Sequence, residues 1–417
     1  MSFISLLLYL FCTFIRPQDW VPVFYELPLV NWLAIATTFF IFTERITSKS
    51  IRLIKVPQNI MILGLFVAIL MSNIVHTYME GLTLAWDAFL VIFLLYFIVL
   101  NAVNTELKFK IAIWFIVLMI LVLVPQGIYQ VQNGYGWAGQ AITFDPDRNE
   151  SRINWIGIFN DPNDLALLFV VAIGIVIAFL FGKTNFFVRV FCLAAISALG
   201  YGIFLTNSRG GMLALAATVY FYFIRRTRKF VLGSIIAGII IAGLFAVGPS
   251  RIGLISAEED SAYSRLDLWY EGIQMMKSNP VFGVGYGMFT DELPQTAHNS
   301  FVLAAAELGF VGLFCFVGLL YCSFRALSFV QGADPKLLTL ATGLQSSLIG
   351  YSTAAFFLSR TYVILPYLLF ALSGSLFFIA QKNSNIVFNL TRHDFWKIFW
   401  MCWGILLLIL TLVKIGL

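Results

Sequence analysis

An all-α, polytopic bundle of membrane-spanning helices is what this 417-residue chain predicts, and three observations carry that prediction. First, 60% of its residues are apolar and only 11% are charged, whereas a soluble domain carries about 25% charged residues. Second, mean hydropathy is +0.90, and the apolar residues gather into runs near the ~20 residues that cross a bilayer. Third, Lys and Arg concentrate in alternate short links between those runs. The formal charge of +5 therefore sets topology and does not argue for nucleic acid.

Taken in order, spans are expected at 3–15, 28–43, 59–75, 85–103, 111–130, 165–181, 187–205, 211–224, 230–247, 301–323, 337–358, 362–380 and 396–413. The first is short. It lacks the basic leader and small-residue cleavage site of a signal peptide, so it reads as an anchor. The expectation is thus about 12–13 transmembrane helices in one integral domain, 1–417.

With the N-terminus inside, seventeen of the twenty-six Lys and Arg fall on the inner face. Arg45, Lys55, Lys108, Lys183, Arg225, Arg325 and Lys382 are examples. Arg152, Arg209, Arg265 and Arg360 are among the nine that face outward. The outer face also carries the two long connections, 131–164 and 248–299, and loops beyond ~12–15 residues are usually functional or disordered. Their Trp, Tyr and Gly content favours a folded outer cap. Within the second, Tyr263, Leu266, Tyr270, Ile273 and Met276 approximate helical spacing, which predicts an amphipathic helix ended by Asn279-Pro280.

The five cysteines all lie in or beside apolar runs without a CxxC, and read as small core residues. Trp20, Trp86, Trp137 and Trp155 are placed at the outer interface. The string RPQDWVP at 16–22 has no derivable role from sequence alone.

Titratable groups at the lip of a span are functional candidates. His298 precedes an apolar helix in HNSFVLAAAELGFVG, with Gly309 and Gly312 further along; a helix-end imidazole with a purely interfacial role is the alternative. Arg209 lies in TNSRGGM at the outer end of a span, where a snorkelling arginine competes with an anion ligand. Gly210 and Gly211 leave the backbone free to approach a ligand. Arg265, in SRLDLW, is either a surface partner of Asp267 or Glu271 or part of a site, and Arg360, in FLSRTY, is a third basic candidate. In GIFNDPNDLALL, Asp161 and Asn163 can cap a helix with Pro162 in its first turn. There is no HxxxH and no Cys cluster, so neither a metal nor a cofactor is expected.

His298-Asn299, nine residues, Gly309, two residues, Gly312 resembles the signature of the bacterial O-antigen ligase and polymerase superfamily. Ser208-Arg209 resembles the Ser-Arg run those proteins carry before a span, and Arg265-Leu-Asp-Leu-Trp through Asn279-Pro280 and Phe282-Gly-Val-Gly285 resembles the segment leading to their His loop. The likeness covers roughly residues 150–380. It implies a GT-C-like fold and transfer of a glycan from a polyprenyl (undecaprenyl) pyrophosphate carrier to an acceptor sugar hydroxyl. His298 would be the base, Arg209, Arg265 and Arg360 the pyrophosphate ligands, and Asn160, Asp161, Asn163 and Asn299 contacts to sugar or carrier. The acceptor would be a lipid A–core sugar for a ligase, at the periplasmic face of the inner membrane. A repeat-unit polymerase for O-antigen or exopolysaccharide is the alternative. A flippase of lipid-linked oligosaccharide is a further one, though the distinctive charges cluster outside and not at the midplane that transporters use.

Overall fold

A computed structural model describes residues 1–47, 53–145, 150–227, 255–384 and 386–416, with scattered positions between 230 and 242. The predicted span at 230–247 is described only at those scattered positions, and residues 146–149 and 248–254 of the long loops lie outside the described residues, as does the side chain of Tyr263.

Every other predicted span is a helix. They are α1 (Ser2–Phe14), α2 (Leu29–Thr47), α3 (Gln58–Val75), α4 (Met79–Ala102), α5 (Glu106–Asn133), α6 (Pro162–Leu180), α7 (Phe186–Leu205) and α8 (Arg209–Thr227). After the outer helices α9 (Ile255–Ser278) and α10 (Phe289–Glu292) come α11 (Ser300–Ala333), α12 (Leu338–Ala355), α13 (Ile364–Ser384) and α14 (Arg392–Gly416). Among the described residues one strand pair, β1 (Thr143–Asp145) with β2 (Glu150–Arg152), is antiparallel with Phe144 opposite Ser151. The chain is a polytopic all-α membrane protein.

Nine of the described helices are long and apolar enough to cross a bilayer. At 13 residues α1 is too short. Helix α8, with Arg209, Arg225 and Arg226 at its ends, is not among the nine either, and α12 fails on composition, because it carries Thr342, Gln345, Ser346 and Ser347. Those polar groups are buried against protein: the Gln345 amide donates to Ser328 Oγ at 2.8 Å, and Ser347 Oγ donates to the Val171 carbonyl at 2.7 Å. A helix enclosed by other helices needs satisfied hydrogen bonds more than it needs hydropathy. Helices α6, α11 and α13 share that interior, while α2, α7 and α14 are largely exposed at the rim.

Local sequence explains the ends. Asp161 caps α6 by accepting from the Asn163 amide at 2.8 Å, with Pro162 in the first turn, as expected. Asn185 caps α7 through the Val188 amide at 2.9 Å. Helix α5 stops at Gly134, in the left-handed region at φ 78°.

Helix α11 is broken at Gly309 (φ 63°, ψ −160°). The break exposes backbone groups inside the bundle, and the segment 280–285 satisfies them. Phe310 N donates to Pro280 O at 2.8 Å, Val284 N to Ala306 O at 2.9 Å and Gly285 N to Glu307 O at 3.1 Å. A Cβ on Gly309 would sit 2.5 Å from the Val281 carbonyl carbon, and one on Gly283 would sit 2.3 Å from that of Glu307. The two glycines therefore let two backbones touch.

The outer segments differ from expectation in two respects. Helix α9 ends at Ser278 as predicted, but it buries Leu268, Trp269, Ile273 and Met275 while Tyr270 is 43% exposed. The inward stripe is thus shifted, set by packing against α11 and α14. Trp155 is not interfacial: it is fully buried, and its indole donates to the Phe14 carbonyl at 3.0 Å. It meets Trp20 edge-on at 6.2 Å. The RPQDW string thereby acquires a role: Arg16 pairs with Asp19 and Gln18 holds Cys12 O at 3.2 Å, closing the turn after α1, while Phe14 against Phe159 and Trp20 against Trp155 set that turn on the 153–160 segment. All five cysteines are buried and free, as expected.

Candidate active site

His298 is presented on a turn whose geometry is fixed from several sides. Its own backbone is left-handed, at φ 47°, a conformation that persists only where the surroundings impose it. Asn299 follows as the cap of α11, its Oδ1 accepting from the Phe301 and Val302 amides at 2.9 and 3.1 Å. On the preceding side, Trp269 of α9 donates to the Ala297 carbonyl at 2.9 Å. Below, Ser300 Oγ donates to Leu358 O at 2.6 Å and accepts from the Arg360 amide at 2.8 Å, while Thr361 Oγ1 donates to Ser300 O at 2.8 Å.

The imidazole faces a cavity of about 530 Å³ that also takes Arg209, Arg265, Arg152, Asn163 and Asn207 into its lining. The rest of the lining is largely apolar, from Leu266, Trp269, Phe357, Leu358, Leu412 and Ile415. Arg209 opens α8, and its neighbour Ser208 accepts from the Gly211 amide at 3.1 Å while donating to Asn163 Oδ1 at 2.7 Å. Arg152, at the end of β2, donates from Nη2 to the same Asn163 Oδ1 at 2.9 Å and from Nε to Thr206 O at 3.0 Å. Asn163 is thus the hub joining three segments of the wall. Burial, with the Arg265 and Arg360 charges, holds the His298 pKa below the ordinary histidine value, and Asp161 opposes them. At neutral pH the ring is a neutral acceptor of protons.

The residues singled out from sequence are therefore not all brought together. His298, Arg209, Arg265 and Asn163 share the cavity; Arg360, Asn160, Asp161 and Asn299 do not line it. Arg360 instead divides its guanidinium between two carboxylates of the α6 start, Nε to Asp164 and Nη2 to Asp161 at 2.9 Å. Asn160 is exposed and accepts from Asn154 Nδ2, whereas Asn299 commits its Oδ1 to its cap. Gly211 serves helix packing and not ligand approach, because a Cβ there would lie 2.7 Å from that of Ala166. Gly210 does line the cavity.

Sequence reasoning missed Arg152, Asn207 and Trp269. Arg152 had the same outward position as Arg209, but no motif surrounded it; only the α7–α8 turn, with Asn207 at φ 49°, brings it into place. Among the described residues no group of three or more His, Cys, Asp or Glu is arranged to hold a metal ion. The arrangement offers a neutral imidazole beside three guanidiniums, a combination suited to an anionic ligand and a proton-transfer step.

Residues 193–317 match the family model described as O-antigen ligase. The matched segment contains Arg209, Arg265, His298, Gly309 and Gly312. No curated protein matches the chain significantly.

Proposed function

From the match over residues 193–317, which supports a member of the O-antigen ligase and polymerase superfamily, we propose a glycan transfer reaction at the outer cavity. The donor is an oligo- or polysaccharide on a polyprenyl (undecaprenyl) pyrophosphate, and the acceptor is a sugar hydroxyl of a lipid A–core, giving an O-antigen ligase of the inner membrane that works at its periplasmic face. The observation that carries this reading is the mixed lining of the cavity, where Arg209, Arg265 and Arg152 stand together with Leu266, Leu412 and Ile415. A lipid pyrophosphate is amphiphilic in the same sense.

Planar guanidiniums grip phosphate oxygens through paired, charge-assisted hydrogen bonds. They also stabilise the charge that grows on the departing pyrophosphate, the place where preorganised electrostatics lowers a barrier most. The arginines thereby supply the positive charge that a metal ion supplies in other transferases. His298, kept neutral, takes the proton of the acceptor hydroxyl as the oxygen attacks the anomeric carbon. The C–O bond to the carrier breaks as the new one forms, so a single displacement inverts the anomeric centre. Arg360 acts at one remove: its backbone amide holds Ser300 and its charge bears on His298.

Deleting the gene in its host and resolving the surface glycans on a gel tests this. Full-length polymer that is left unattached to lipid A–core supports the ligase. Accumulation of single carrier-linked repeats instead makes the protein a repeat-unit polymerase, and an unchanged glycan profile removes both.

A further inference from the structure

A second cavity, of about 750 Å³, lies at the other end of the bundle. Its lining includes Arg45 near the end of α2, Lys55 in the link entering α3, and Lys382 in the last turn of α13. Helix α13 begins beside Thr361, at the base of the His298 turn, and runs 21 residues. At 1.5 Å per residue it sets the two cavities ~30 Å apart, about the thickness of a bilayer's hydrocarbon core.

None of the described residues lining this cavity is acidic. Its cations are held in defined places: Arg45 Nη2 donates to Asn101 Oδ1 at 3.2 Å, and Lys382 Nζ stands 4.5 Å over the Phe378 ring. Gln381 and Asn389 add neutral hydrogen-bonding groups. Beside them, Leu53 and Ile60 are 47% and 57% exposed. Charge complementarity calls for a phosphate anion, and the exposed apolar rim calls for hydrocarbon attached to it.

We propose that this cavity binds the phosphodiester headgroup of an anionic membrane phospholipid, with the acyl chains lying along Leu53 and Ile60. A soluble phosphate satisfies only the cationic half of that surface. A lipid satisfies both, and basic pockets between helices at one membrane face are a known setting for anionic headgroups.

The test uses the full chain in a neutral detergent, titrated with dioctanoyl phosphatidylglycerol, dioctanoyl phosphatidylcholine or inorganic phosphate, with the thermal unfolding midpoint as readout. Phosphatidylglycerol is expected to raise the midpoint at concentrations at least tenfold below those at which phosphatidylcholine acts. Lys55→Gln with Lys382→Gln is expected to weaken that response about 30-fold, from about 1 kcal/mol per cation near a membrane surface. Lys55→Arg with Lys382→Arg, which keeps the charge, is expected to retain it, and so separates loss of the site from misfolding. Equal responses to the two lipids, or a glutamine variant that binds phosphatidylglycerol as the wild type does, overturn the proposal. Inorganic phosphate alone reproducing the stabilisation overturns it too, in favour of a soluble anion.

Discussion

Replacing Gly309 by alanine is the sharpest test of how the His298 turn is supported. The residue occupies φ 63°, ψ −160°, a region essentially closed to L side chains, and forcing one into it costs about 1–3 kcal/mol. The new Cβ would also meet Val281 C and O at 2.5 Å and Gly283 N at 2.6 Å. All are backbone atoms, so no rotamer change relieves the contact and the 280–285 segment must move away. That puts at risk the three backbone hydrogen bonds from Phe310, Val284 and Gly285, each contributing about 0.5–1.5 kcal/mol. Together the two effects come to about 3–7 kcal/mol. Gly200→Ala is the matched control, because nothing lies within 4 Å of its Cβ position, and alanine there favours the helix by up to about 1 kcal/mol. Thermal unfolding in detergent should show the Gly309 variant falling by several degrees and losing transfer activity, with Gly200→Ala at or above wild type. If Gly309→Ala unfolds at the same temperature as Gly200→Ala, the account of the break is wrong.

Four further outcomes follow from the site. His298→Ala should lower turnover by ~10²–10⁴-fold with donor binding preserved, and in the wild type the rate should fall on the acid side with a midpoint below 6.5, since the histidine pKa is depressed; an acid limb centred above 6.5 contradicts the assignment. Arg209→Lys or Arg265→Lys keeps charge but loses the planar fork, and should cost roughly 10²–10³ in rate, measured with purified lipid-linked donor. Arg360→Gln leaves Asp164, 12% exposed, without its partner, which should destabilise by about 3 kcal/mol and move the acid limb of the pH profile upward, because a positive charge near His298 is gone; an unmoved limb would leave Arg360 a purely structural residue. Transfer should persist in EDTA, and activity that vanishes and returns with Mg²⁺ or Mn²⁺ would refute an arginine-based donor site.

Much of this architecture was legible because membrane helices announce themselves through composition. Counting spans and charges puts Arg209, Arg265 and His298 at one end of the bundle, and the structure brings the three into one cavity. What sequence did not reveal was pairing across distance. Arg360 reads like any arginine at a membrane lip, yet Asp161 and Asp164, nearly 200 positions earlier, turn it inward. Arg152 depends on the same kind of long-range accident, a turn at Asn207 that no local propensity marks as part of a site. Trp155 shows the limit of composition rules: tryptophan favours interfaces on average, but a single carbonyl of α1 captures this one. Gly309 was visible as a glycine within a helix. That it meets another backbone was not, because the partner segment has no regular structure to predict.

The cation-rich wall of the outer cavity carries a consequence for turnover. If the donor is a pyrophosphate diester, cleavage converts it to a monoester with one more ionisable oxygen. Three guanidiniums then hold the spent carrier more tightly than they held the donor, and departure of the product competes with chemistry as the slow step. The apolar part of the lining at Leu266, Leu412 and Ile415 offers the way out, since the carrier's hydrocarbon tail can draw the headgroup sideways toward the bilayer. Turnover would then depend on how the surrounding lipid accepts the carrier, and the membrane becomes a kinetic participant in the reaction.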